Sequence, residues 1–352
     1  MPRSRSNFVP DLHADPFGEH GAPVRHRERI GILGCDVGFE SNSPELMGLV
    51  RAAYSGLPRH RLGGATPRLT IRLVLAPPGP EERGRAGRRG ARVRFDEPPG
   101  LAMVAGAGLF GGATALSSFV VLAPGQRAGL VVLSREMLRF PYHARYEFLE
   151  FAVFTLASRV RQLISLHAAC IGKADRGVLL MGDSGSGKST VSLLALLSGM
   201  DFVAEDSVFV ESATLRATGV ANFLHVRNDS VSWIEDVRER AAIVRAPVIR
   251  RRSGASKYEV DLRQTRYHLA RHPQSIVAVL FLSAESADGP LLRPLGVREL
   301  RSRLAAGQAY AAGQAGWPQF QEALRRIEAF ELRRGRHPSE SVEAIRAVLA
   351  RG

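Results

Sequence analysis

One run limits the fold of this chain more than any other: "VLLMGDSGSGKSTVSLLALLSG", Val178 to Gly199. Four apolar residues read as a buried strand, and "STVSLLALLSG" reads as a helix closed by a glycine. Between them Gly182 to Ser189 satisfies G-x-x-x-x-G-K-[ST]. A strand that feeds a helix through a glycine-rich loop is the first half of a β–α–β unit, so the chain is expected to be α/β. Small residues in the loop let successive backbone N–H groups turn inward around an anion, and the helix N-terminus adds its partial positive charge. Lys188 is placed to reach the β- and γ-phosphates of a nucleotide, and the Ser189 hydroxyl suits Mg²⁺. ATP and Mg²⁺ are therefore the expected ligands, held by Gly182, Asp183, Ser184, Gly185, Ser186, Gly187, Lys188, Ser189 and Thr190. The chain has three lysines against forty-five arginines. Keeping lysine here fits a cradle that admits a compact ammonium but not a planar guanidinium.

The arginine excess gives a net charge of +14 and raises nucleic acid as a partner. The arginines run through the whole chain, however. Their densest stretch, "RGRAGRRGARVR" at Arg83 to Arg94, follows a Pro/Gly/Glu run and has no interleaved aromatics. It reads as a solvated loop, and nucleic acid is not expected as a partner. Two cysteines, Cys35 and Cys170, supply no disulfide framework or metal spacing. The N-terminus lacks an apolar h-region and no window is long and apolar enough for a membrane span, so a cytoplasmic protein is expected.

With 352 residues the chain has room for about two domains. Residues 1–27 read as a disordered tail, 28–140 as a small α+β domain, and 141–352 as the P-loop catalytic domain. In the α+β domain "RIGILGCDVGFE" reads as one strand. A helix follows, capped by Ser43 and started by Pro44, with Leu46, Val50 and Ala53 on one stripe. "LTIRLVLAP" is a strand and "SSFVVLAPGQRAGLVVLS" a hairpin. A long helix is expected over Tyr142 to Leu163, buried along Tyr146, Leu149, Val153, Leu156 and Val160. "LISLHAACIG", "GVLLM", "TLRATGVAN" and the apolar run Ser275 to Ser283 read as strands, the last a central one. "SWIEDVRERAAIV" and two stretches near Pro318 to Ile327 and Ser339 to Leu349 read as helices, with "FEL" between the last two as an edge strand.

After the cradle, the helix and the short strand "FVA" bring the chain to Glu205 and Asp206. Such crossovers are right-handed and lay strands parallel. Cradle and acids are thus expected at the carboxyl ends of neighbouring strands, where open α/β sheets bind ligands. Of two acids beside a triphosphate, one can hold the metal and the other can accept the proton of an attacking hydroxyl. An acidic turn that merely caps a strand is the alternative. Rival nucleotide-binding classes lack their marks: there is no LSGGQ-like run and no N-K-x-D, and "VFVE" is a poor match to the apolar-Asp-Glu of a motor.

The succession "SLHAACIG", "LLMGDSGSGKST", "FVAED" resembles the HPr kinase/phosphorylase C-terminal domain family. The resemblance implies a fold like that domain, related to phosphoenolpyruvate carboxykinase, and phosphoryl transfer from ATP to a serine hydroxyl. It also implies Glu205 as general base, Asp206 as a second acid that holds the metal with Ser189, and His167 lying against the base. Two positions depart from the family's pattern: Thr190 stands where Glu is usual, and Glu205 where Asp is usual. The family's second, glycine-rich signature has no convincing copy, and residues 28–140 do not resemble the N-terminal domain of the bifunctional enzymes. The chain is more similar to the scattered HPr kinase-related proteins. The expected activity is an ATP- and Mg²⁺-dependent kinase whose acceptor is a serine of a protein or peptide, or a small alcohol. A non-catalytic nucleotide-binding regulator is the alternative, and the oligomeric state, homo-oligomer included, is left open. Arg227 and the trio Arg250 to Arg252 read as solvated surface, while Lys257 stands out as a rare lysine.

Overall fold

The computed structural model describes residues 23–76, 98–183, 185–264 and 266–351. The Arg-rich stretch, Ser184 and residues 1–22 of the expected tail lie outside them. The chain divides into two compact units: one takes residues up to 30, 36–53 and 68–156, the other 31–35, 54–67 and 157 onward. The division falls inside a helix rather than in a linker, and two short pieces from the N-terminal half belong with the second unit.

In the first unit the strands β1 (His26–Ile32), β2 (Cys35–Ser41), β3 (Arg68–Leu75), β4 (Ala102–Gly106), β5 (Leu109–Ala113), β6 (Phe119–Ala123) and β7 (Ala128–Leu133) form one sheet in the order β1-β2-β3-β7-β6-β5-β4. The expected first strand is thus two. Leu33 and Gly34 both take positive φ, 49° and 71°, the geometry of a tight hairpin turn. His26 and Arg27, counted with the tail, already belong to β1. Strands β2, β3 and β7 run parallel, and β6 and β7 form the expected hairpin. The hairpin β4–β5 had no sequence signal, because its Ala/Gly-rich strands do not alternate and β4 is exposed at every residue. Ser43 Oγ accepts from the amides of Glu45 and Leu46 and starts α1 (Pro44–Tyr54), whose Leu46, Val50 and Ala53 are buried. The long helix is continuous from Pro141 to Arg161, but its Ala144–Glu150 segment is π-helical. Leu149 and, in α2 (Phe151–Arg161), Val153 and Leu156 are buried as expected, while Tyr146 and Val160 are only partly covered.

The second unit holds the cradle. Its large sheet follows the order β11-β9-β10-β17-β13-β12-β8, with β19 joining β17 and β18. The ranges are β8 (Leu163–Leu166), β9 (Ala169–Lys173), β10 (Arg176–Met181), β11 (Asp201–Ala204), β12 (Val208–Glu211), β13 (Arg216–Gly219), β17 (Gln274–Ser286), β18 (Leu292–Pro294) and β19 (Glu328–Arg334). A separate three-stranded sheet, β14-β16-β15, comprises β14 (Phe223–Val226), β15 (Val248–Arg250) and β16 (Ser256–Asp261). Strand β10 explains the layering. Val178 and Leu180 point into one core with α3 (Lys188–Leu197) and the C-terminal helix Pro338–Ala350. Leu179 and Met181 point into another with Leu300, Leu304, Trp317 and Phe320. A strand buried on both faces reads as a continuous apolar run, as both β10 and the central β17 do.

Two expectations change here. Strands β10 and β11 run in the same direction but are not neighbours, because β9 lies between them, antiparallel to each. The turn Ala174–Asp175, both at positive φ, makes a tight hairpin that puts β9 in the place beside β10. The "FEL" strand is also not an edge: β19 pairs with β17 on one side and β18 on the other.

Candidate functional site

The loop between β10 and α3 is shaped by its glycines. Gly182 has φ +145°, and a Cβ there would lie 2.9 Å from the Leu282 carbonyl of neighbouring β17. Only glycine lets the chain leave the strand at that angle. Gly187, at φ 98°, is the N-cap of α3, and no side chain caps the helix. The first-turn amides are therefore not engaged by a capping side chain. The Ser186 hydroxyl is buried and has no hydrogen-bond partner among the described residues. Lys188 folds over the loop and donates to the carbonyls of Gly182 and Asp183. Burial lowers its pKa, while Asp206, Asp183 and Glu205 oppose that shift.

Ser189 and Thr190, one residue apart, lie about 100° apart around the helix and lead in different directions. The Ser189 hydroxyl donates to Glu205 Oε1 at 2.5 Å. Thr190 Oγ1 is 2.8 Å from Ser230 Oγ.

The Ser189 flank is a charged network. Glu205, just past β11, is 6% exposed, and its second oxygen accepts the backbone N–H of His225 at 2.9 Å. His225 sits on β14 opposite Glu259 of β16. Its Nδ1 lies 3.2 Å from an Arg251 nitrogen, and a guanidinium can only donate. Nδ1 therefore accepts, and Nε2–H is left to donate to Glu259 Oε1 at 3.2 Å. The same Arg251 donates to Asp206 Oδ2 at 2.7 Å. Burial pushes the Asp206 carboxyl up, but the charge and hydrogen bond of Arg251, joined by the charges of His167 and Lys257, hold the group below the usual carboxylate range. Oδ1 of Asp206 has no hydrogen-bond partner among the described residues. Lys257 on β16 also belongs to this flank. Burial pushes its pKa down and the nearby Glu205 pushes it back up.

A cavity of about 550 Å³ opens over the loop. Asp206, Arg251, Lys257 and His167 line it, as do Thr190 and Trp233. Glu205 does not line it. The site residues expected from sequence thus gather in one place, Ser184 excepted as outside the described residues. Three details differ from expectation. His167 is exposed, and Gln308 holds its backbone through two hydrogen bonds, of 2.8 and 2.9 Å. No hydrogen bond joins it to Glu205, and the histidine against that acid is His225. Arg251 is a structural part of the site rather than solvated surface. Asp206, expected on the metal with Ser189, is held by Arg251, whereas Glu205 is the acid that meets Ser189. The only sequence trace of His225 is a lone histidine inside the apolar strand "FLHV". Arg251 was noticed only within the trio Arg250 to Arg252, which among so many arginines read as solvated surface.

The ligand atoms of Glu205, Asp206 and His225 lie within 4.8 Å of one another, but the Arg251 guanidinium already occupies the Asp206 and His225 side of that cluster. The pair Ser189 Oγ and Glu205 Oε1 consists of hard oxygen donors side by side, which suits Mg²⁺.

No known family profile matches the chain, and no curated protein matches it. Among solved structures, the Hpr(Ser) kinase/phosphatase from Coxiella burnetii is similar over 52% of this chain and 94% of that chain, at 14% identity and a TM-score of 0.29. At that score the likeness carries no weight for fold or chemistry. Among the described residues no helix is long and apolar enough to cross a membrane.

Proposed function

We propose that this cavity binds ATP with Mg²⁺ and transfers the γ-phosphoryl group to a hydroxyl, that of a serine on a protein or peptide before that of a small alcohol. One observation carries the reading. Beside a loop with phosphate-binding spacing, two adjacent acids are sorted, one buried against Ser189 and the other on the cavity wall. A module that only binds nucleotide needs the cradle and has no use for the second acid.

The sorting favours roles opposite to those the family resemblance implies. Both oxygens of Glu205 are engaged, by Ser189 and by the His225 amide, so it is poorly placed to take a proton from an acceptor. With Ser189 it would hold Mg²⁺, which when bound neutralises charge on the β- and γ-oxygens. Asp206 faces the cavity and, with Oδ2 fixed by Arg251, can present Oδ1 to an acceptor hydroxyl. The hydroxyl oxygen attacks the γ-phosphorus, and the bond to the β–γ bridging oxygen breaks. ADP departs with the electron pair, and the hydroxyl proton passes to Asp206. A carboxylate held below its ordinary pKa is a weak base, but phosphoryl transfer through a loose transition state asks more for orientation than for basicity. Lys188 would swing from the loop carbonyls to the phosphates.

The test is to incubate the chain with γ-labelled ATP, Mg²⁺ and a library of serine peptides and small alcohols. Label on a hydroxyl, lost in Asp206→Asn while ATP still binds, is the expected result. ATP binding with no labelled acceptor, unchanged by Asp206→Asn, would favour the regulator reading, for which the existing Arg251–Asp206 pair is the supporting observation.

A further inference from the structure

The Thr190 flank of the cavity carries one exposed ion pair, Arg227 with Asp229 at 3.1 Å, but what braces it is uncharged. Thr190 Oγ1 is tied to Ser230 Oγ at 2.8 Å. Ser230 lies in the short helix Asn228–Val231, and the Trp233 amide donates to the Ser230 carbonyl at 3.3 Å. This chain of bonds runs from the first turn of α3 to the backbone of Trp233, a residue that is partly buried and lines the cavity. Trp233 meets the His337 ring at 5.0 Å with the planes 78° apart. Whichever ring presents its edge, His337 covers at most one face of the indole. His337 is itself fixed as the N-cap of the helix Pro338–Ala350 by a capping box with Glu340. The indole therefore stands beside the cavity on a braced support, with at least one face not taken by its aromatic neighbour.

We infer that Trp233 is the seat of the nucleotide base. This rests on the reading of the cavity as a nucleoside triphosphate site and adds the direction in which the nucleotide lies. On that reading Lys188 would gather the β- and γ-phosphates, together with a Mg²⁺ held by Ser189 and Glu205. The γ-phosphate must point to Asp206, so the nucleoside must leave the cradle on another side. Thr190 points away from the Ser189–Glu205 contact, and the path it opens leads to Trp233. A tryptophan face offers a large apolar area with a π-quadrupole, the surface on which purine rings stack. Stacking reads a π face rather than a hydrogen-bond pattern, so adenine and guanine nucleotides should both seat there.

The full chain has two tryptophans, Trp233 and Trp317, and Trp317 is 7% exposed within the core. ATP and GTP should quench the fluorescence of Trp233, while inorganic tripolyphosphate, which has the phosphates without a base, should bind and leave it unchanged. Trp233→Leu should weaken ATP binding roughly 5- to 100-fold and leave tripolyphosphate binding as it was. Trp233→Phe, which keeps a ring, should recover most of the ATP affinity and lose the quench. Equal ATP affinity in Trp233→Leu and parent would overturn the inference while leaving the triphosphate site intact. So would an equal loss for ATP and tripolyphosphate in that variant, which marks Trp233 as merely structural. If neither ligand binds the parent chain, the underlying reading fails and this inference falls with it.

Discussion

The two flanks of the α3 first turn are built from different materials. On the Ser189 side, groups from β11, β14, the end of β15 and β16 form a charged network in which Glu205, Asp206, His225, Arg251 and Glu259 are each tied to another member. On the Thr190 side there are a hydroxyl pair, two rings set edge to face and one exposed ion pair, Arg227 with Asp229. A buried charged network is costly unless every member is satisfied, so it is expected where charge must be handled. Hydroxyls and rings suffice where a ligand is only recognised. The difference points to transfer on one side and recognition on the other, with the loop common to both.

The largest effect should come from the shared element. Lys188→Ala removes the ammonium that folds over the loop and should lower transfer by about 10³-fold or more, together with affinity for both ATP and tripolyphosphate. Isothermal titration and single-turnover transfer are the measurements. Unchanged turnover in that variant would remove the phosphate assignment of the loop, and with it the reason to compare its two sides.

A smaller and more discriminating effect separates the two acids. Asp206→Asn should cut transfer by about 10²-fold with ATP affinity nearly kept. Glu205→Gln puts an amide against two donors, Ser189 Oγ–H and the His225 N–H. It should raise the Mg²⁺ concentration needed for transfer and destabilise the fold by about 1–3 kcal/mol, read by denaturant unfolding. The reverse pattern, with Glu205→Gln stable and slow and Asp206→Asn demanding more Mg²⁺, would restore the roles that the family resemblance implies.

How much of this could be seen in the sequence follows from the same contrast. The loop lies within one run, so its glycines, Lys188 and Ser189 could be placed from spacing alone, and the strand and helix around it followed from apolar periodicity. Glu205 and Asp206 were found because they end the next strand along. Which residues they would meet was not legible, although Lys257 stood out as a rare lysine and Arg251 was named within a trio read as surface. His225, Arg251, Lys257 and Glu259 come from a separate sheet 20 to 54 residues further on (225 − 205 and 259 − 205), and no local pattern records which strand end meets which. His167 shows the converse error: a motif position placed it at the site, and it does line the cavity, but the histidine that contacts Glu205 comes from β14. The place of β9 between β10 and β11 likewise follows from the two-residue turn at Ala174–Asp175, and apolar runs do not record which strands such a turn makes neighbours.

The most delicate test concerns Arg251, because it decides whether the charged flank is held for proton handling or only for phosphate binding. In the parent chain Asp206 is held below the ordinary carboxylate range, against burial, by the charge and hydrogen bond of Arg251. A depressed folded pKa contributes stability that is present above the unfolded value and lost as pH falls through the folded one. Asp206 should therefore stay ionised to low pH, and the acid limb of the transfer profile should lie there. Arg251→Met keeps much of the side-chain length and removes the charge, which leaves burial opposed only by the weaker pull of His167 and Lys257. The acid limb should then move to higher pH, and the contribution of Asp206 to stability near neutral pH should shrink. Both are read by rate against pH and by unfolding midpoint against pH on the same two proteins. If the acid limb stays in place while ATP and tripolyphosphate affinity fall together, Arg251 serves the phosphates and not Asp206, and the division of labour between the flanks would have to be redrawn around binding alone.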